Sequence, residues 1–168
     1  MSLLLPALAA RCVPFTFVIA MTLLGASEKP TLEVSQTRTI PASPAAVWAV
    51  IGGFCDIHRW HGQARACALF HDGGQTVRSL NLRGIGTLLE VQLDRDEDDM
   101  MYSYALLHSP WPVKQHRAIL TVSPAGNGSI VTWRATFRLE NDCDDGAVSQ
   151  IEDLFRSGLS GIAHEVAR

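Results

Sequence analysis

The chain has 168 residues, 47% of them hydrophobic and 18% charged, which suits one globular domain with a buried core and leaves two domains crowded. Its formal net charge of -3 provides no basic surface to neutralise a phosphate backbone, so nucleic acid is excluded as an expected partner.

The first 26 residues carry a single charge, Arg11, followed by an apolar run from Val13 to Leu24 and then Gly25, Ala26 and Ser27. This is the pattern of a cleavable export signal over residues 1–27, which leaves a mature domain of residues 28–168 with a periplasmic or secreted location. The apolar run is shorter than the roughly 20 residues a membrane-spanning helix needs. Glu28-Lys29-Pro30 follows without a stop-transfer cluster, so no stable membrane insertion is expected after cleavage, an uncleaved anchor being the competing reading. Cleavage removes Cys12 and retains Cys55, Cys67 and Cys143. Cys55 and Cys67 could pair in an oxidising compartment, but three thiols close no framework, and the simpler reading makes the cysteines small buried hydrophobes.

Residues 31–40 alternate with period two and predict a half-buried strand that ends at Pro41. In Pro41-Ala42-Ser43-Pro44, Ser43 can cap a helix and Pro44 can occupy its first position, with Val47, Trp48 and Ile51 as the apolar stripe and Gly52-Gly53 as the stop. A second short helical turn is expected over residues 56–60. Six further strands are predicted near residues 64–71, 75–82, 86–94, 99–108, 114–123 and 129–139, separated by turn residues such as Asp72-Gly73-Gly74 and Ala125-Gly126-Asn127-Gly128. Connections this short cannot hold crossover helices, so the strands must form an antiparallel meander. In the last strand Val131, Trp133, Ala135, Phe137 and Leu139 share one face.

From Val148 the spacing changes to three and four, through Ile151, Leu154, Phe155, Leu159, Ile162 and Val166, which predicts a long amphipathic helix. Gly158 and Gly161 each cost roughly 1 kcal/mol against alanine in such a helix. Close approach to the sheet, a bend or room for a ligand would each justify them, and they are read here as favouring an open cavity.

A strand, two short helices, six antiparallel strands and a terminal helix is the element order of the helix-grip fold. The chain resembles the START-like SRPBCC superfamily, particularly its polyketide cyclase/dehydrase branch. The residues that carry the resemblance are Thr39 to Trp48, Gly53 to His61, Tyr102-Ser103-Tyr104, Pro110 to Val113 and Val131-Thr132-Trp133. The export pattern together with the Gly53-to-His61 segment is similar to the periplasmic MxaD-like proteins associated with methanol dehydrogenase systems, which usually carry proline where this chain has Gly62. The resemblance implies an α+β, START/Bet v 1-like fold with a curved seven-stranded antiparallel sheet around the C-terminal helix. It further implies a small hydrophobic ligand held between sheet and helix, a periplasmic dehydrogenase or electron carrier as partner, and no cofactor. A polyketide cyclase/aromatase-like enzyme is the alternative.

Candidate ligand-binding residues follow from alternation and from that resemblance. Trp133 and Phe137 on the last strand, with Phe155 and Leu159 on the helix, should line the cavity or pack a solid core. Trp60 and His61 stand where the second short helix enters the sheet, near the cavity mouth in the resembling family. Tyr102 and Tyr104 share one strand face and would offer hydroxyls for orientation. Trp111, bracketed by Pro110 and Pro112, is expected on a lid or rim, or equally as an aromatic that pins its loop onto the core. Arg78, Arg83, Arg117 and Arg134 are read as solvent-facing, with the alternative that one buried arginine paired with Glu90 binds a ligand carboxylate. His58 and His61 beside Asp56 superficially suggest a metal site, but the other histidines have no ligand spacing and no metal is expected. Neither Ser157-Gly158-Leu159-Ser160-Gly161 nor Gly84-Ile85-Gly86 has the strand and helix context of a catalytic or nucleotide loop, so no catalytic residue is assigned.

Overall fold

A computed structural model of the protein describes residues 29–141 and 145–168. The expected signal, Cys12 and Cys143 lie outside the described residues. The elements run β1 (Leu32–Ile40), α1 (Pro44–Ile51), α2 (Ile57–Trp60), β2 (Ala64–Asp72), β3 (Gln75–Leu82), β4 (Gly86–Asp96), β5 (Met101–His108), β6 (Val113–Ala125), β7 (Gly128–Leu139) and α3 (Asp145–Val166). Every strand pairing is antiparallel, in the order β1-β7-β6-β5-β4-β3-β2.

Local chemistry sets these boundaries. The Ser43 hydroxyl accepts from the Ala46 amide, with Pro44 opening α1, as the sequence pattern requires. Between β2 and β3 a two-residue turn places Gly73 at φ 54° and Gly74 at φ 82°, a left-handed pair that only glycine adopts cheaply. The acidic run after β4 folds as a solvated turn in which the Asp96 carboxylate accepts from the amides of Asp98 and Asp99, 2.9 Å each. Register shifts interrupt β2, β4 and β6, and such bulges bend and twist the strands that carry them.

The helix α3 packs against β1, β7, α1 and α2, burying Ile151, Leu154, Phe155, Leu159 and Ile162. Its two glycines mark close approach. A methyl group on Gly161 would stand 1.8 Å from the Trp60 carbonyl oxygen, and one on Gly158 would stand 2.6 Å from the Trp133 ring. The expectation that they open a cavity is therefore corrected: they admit backbone and ring, which fill the space.

The cysteines need a second correction. Cys55, in the α1–α2 connection, forms a disulfide with Cys67 on β2 across a Cα separation of 5.6 Å, so these two are a covalent staple rather than small hydrophobes. Among the described residues no helix is long and apolar enough to cross a membrane.

Candidate functional site

The concave face of the sheet carries a polar cluster inside an aromatic core. On β3, Arg78 shares its face with Leu80 and Leu82, and all three are buried. It stands opposite Glu90 on β4 in the strand register. The reading of Arg78 as solvent-facing is thus corrected, and the alternative of a buried arginine beside Glu90 is the arrangement found. Arg83, Arg117 and Arg134 are exposed.

Arg78 is 0% exposed and Glu90 4%. Its Nε donates to Glu90 Oε2 at 2.5 Å, and its Nη1 donates to the Phe54 carbonyl. The guanidinium carbon lies 4.1 Å from the centre of the Phe54 ring and 4.8 Å from that of Tyr104, a geometry in which ring quadrupoles help hold a cation. Burial alone would favour loss of its proton. The Glu90 carboxylate reverses that, and the net shift of the guanidinium pKa is upward.

Around the pair stand Tyr102, Tyr104, Trp133 and His116. Burial raises both tyrosine pKa values; for Tyr102 the nearby Arg78 charge opposes the rise. The Tyr104 hydroxyl accepts from the Trp133 indole nitrogen at 3.0 Å. Trp133 in turn stacks on Phe155, with centroids 4.3 Å apart and planes 10° apart, and meets Trp60 edge-on at 5.7 Å.

His116 enters this face beside a register shift between Lys114 and Arg117. It stacks on Phe137 at 6.0 Å and lies 6.4 Å from Tyr104, measured between ring centres. Among the described residues neither of its nitrogens, nor Arg78 Nη2, has a well-aligned hydrogen-bond partner.

Desolvation pulls the His116 pKa from 6.5 down to about 4. The unfolded chain therefore takes up a proton through that window which the folded chain excludes, so stability falls as pH drops from 6.5 to about 4. Above pH 6.5 this contribution is fully present; its total loss is about 3 kcal/mol. His61, whose pKa is lowered chiefly by burial, acts with the same sign. In urea titrations at stepped pH, His116→Leu should lose stability less steeply than wild type across this range. Parallel curves would show that His116 does not titrate as a buried group.

The nine candidate residues are all buried, in two sets. Tyr104, Trp111, Trp133 and Phe155 border a small enclosed space of about 10 Å³, together with Arg78, Glu90, His116, Ile57 and Leu154. Trp60, His61, Tyr102, Phe137 and Leu159 pack around this group. His61 is a tie between elements: Nδ1 accepts from the Gln63 amide at 3.2 Å, so in the neutral ring Nε2 carries the proton and donates to the Leu154 carbonyl at 3.0 Å. Trp111 closes one side of the space, its indole donating to the Gln150 side chain of α3 at 3.0 Å. A surface hollow of about 170 Å³ is larger, but its charged neighbours Asp94, Arg117 and Arg134 are exposed.

Sequence reasoning gave His116 no role and left Arg78 as an alternative. The usable signal was alternation, since His116 shares parity with Ala118, Leu120 and Val122, and Arg78 with Leu80 and Leu82.

Comparison with known proteins places this architecture. Among curated proteins none matches the chain. The solved structure of XoxI from Bacillus cereus superposes with a TM-score of 0.73 at 25% identity, covering 80% of this chain and 95% of that one. A solution structure from Thermobifida fusca reaches 0.65 at 30% identity, with 82% and 93% covered. The ZhuI aromatase/cyclase from a Streptomyces species reaches 0.70 at 17% identity, with 83% and 95% covered, a likeness of fold alone. The fold is helix-grip, with the curved seven-stranded sheet and terminal helix of the Bet v 1 and START proteins. The family model described as polyketide cyclase / dehydrase and lipid transport matches residues 31–167, and the chain belongs to that family.

Proposed function

We propose that the protein is exported and binds a small, largely apolar molecule between the sheet and α3, as an MxaD-like accessory to a periplasmic dehydrogenase or electron carrier. The observation that carries the binding reading is that three of the buried polar atoms without a well-aligned partner, Arg78 Nη2 and the two His116 nitrogens, lie on residues that border one aromatic-walled space. Buried polar groups normally find partners, and a convergent few in an apolar site are what orients a ligand. The Cys55–Cys67 disulfide supports export, because such bonds persist in oxidising compartments. Likeness to the XoxI structure supports the accessory role.

The enclosed space of about 10 Å³ is about the size of one water site, so entry requires the walls to move. Of the described residues that border the space, Trp111 is the one outside any strand or helix, which makes it the wall best placed to move, with its indole tied to α3 by the hydrogen bond to Gln150.

A cyclase/aromatase-like enzyme is the second reading. It is favoured by His116, a neutral imidazole whose nitrogens have no well-aligned partner on the edge of the enclosed space, where it could serve a bound substrate as a base.

Native mass spectrometry of protein recovered from the cells that make it tests the proposal. The expected mass is that of a chain starting near residue 28, less two hydrogens for the disulfide, plus a retained small molecule. A chain that keeps residues 1–27 would remove export. A bare polypeptide mass under conditions that preserve noncovalent complexes would remove the bound ligand, and a ligand recovered in chemically altered form would favour the enzyme.

A further inference from the structure

We infer that the pocket selects a neutral hydrogen-bond acceptor, a ketone or ester carbonyl on an apolar body, and rejects a carboxylate of the same size. This rests on the binding reading above and concerns the chemical class of the ligand.

A buried arginine usually suggests an anion. Here the cation already has its counter-charge, because Arg78 and Glu90 are both inside the core and joined at 2.5 Å. A carboxylate brought to the same space would be a second negative charge beside Glu90, stripped of water, with no further cation to meet it. Among the described residues bordering the space, Arg78 is the only lysine or arginine. Desolvating an unmatched charge is far more costly than desolvating a carbonyl.

What remains is hydrogen-bonding capacity without net charge. Arg78 Nη2 and both His116 nitrogens lack a well-aligned partner; the guanidinium nitrogen donates, and a neutral imidazole donates from one nitrogen and accepts at the other. A carbonyl oxygen has lone pairs for such donors and carries no charge to offset. Trp111, Trp133 and Phe155, which border the same space, supply apolar surface for the rest of the molecule. The walls leave about 10 Å³, so the apolar body enters only with the wall movement that the binding reading requires.

The probes are heptan-2-one and hexanoate, which share a five-carbon tail and differ in replacing a methyl by a charged oxygen. Each is titrated at pH 7.5 into disulfide-intact mature protein while the indole N–H resonances of Trp111 and Trp133 are followed by NMR. The ketone should shift them at a concentration at least tenfold below that needed with hexanoate. In Glu90→Gln, which frees the arginine charge, the preference should turn over, with hexanoate the tighter by a similar factor.

Hexanoate binding as well as or better than the ketone in wild type overturns the inference and leaves the pocket reading standing. Movement of neither indole by either probe removes the pocket reading, and the inference with it. The wild-type comparison decides even where Glu90→Gln folds poorly, and a folded Glu90→Gln that keeps the ketone preference also overturns the inference.

Discussion

Replacing Trp133 with alanine should lower the unfolding free energy by about 3–5 kcal/mol, the range for deleting a fully enclosed large aromatic. Trp133 is 1% exposed and holds three elements together: it stacks on Phe155 of α3, meets Trp60 of α2 edge-on, and donates its indole hydrogen to Tyr104 of β5. Deletion removes the packing and leaves a buried tyrosine hydroxyl without that donor. Trp133→Phe should fall between the two, because it keeps an aromatic surface but not the hydrogen bond. Urea unfolding with an unchanged m-value is the measurement. A loss below about 1 kcal/mol for Trp133→Ala would mean that the interior is loosely filled at this point, and that a larger cavity is accessible than the packed arrangement allows.

The fold was legible in sequence because its signals are local and redundant. In β7 the residues Val131, Trp133, Ala135 and Phe137 alternate with polar neighbours and are all buried, while the spacing of Ile151, Leu154, Phe155, Leu159 and Ile162 admits only one helix face. The short Gly-containing turns force antiparallel neighbours, and the register follows. The site was less legible for three physical reasons. In β4, apolar residues fall on both faces, with Leu88 beside Glu90 on one and Leu89 and Val91 on the other, so period two does not say whether Glu90 points inward. His116 lies beside a register shift, where alternation is least dependable. The disulfide depends on spatial proximity between a helix connection and an edge strand, which cysteine counting does not supply. Gly158 and Gly161 illustrate the same limit: their positions in the helix were evident, but whether the missing side chains make room for a ligand or for Trp133 and the Trp60 backbone is a fact of packing.

Removing Glu90 should be as damaging as removing Trp133, for the opposite reason. In Glu90→Ala the guanidinium of Arg78, enclosed by Phe54 and Tyr104, keeps its Phe54 carbonyl contact but loses its counter-charge. Breaking one side of a buried pair in this way typically costs about 3–5 kcal/mol. Replacing both partners, as in Arg78→Met with Glu90→Leu, should recover most of that loss, because two buried charges and their desolvation disappear together. Equilibrium unfolding of the two single variants and the double variant forms a thermodynamic cycle that isolates the pair. If the double variant matches wild type in stability, the ion pair contributes little to holding the sheet together, and its place in the core is explained by the hydrogen-bonding surface it presents to the enclosed space. A double variant as unstable as Glu90→Ala would instead make the pair a structural element of the core, one that helps hold β3 to β4.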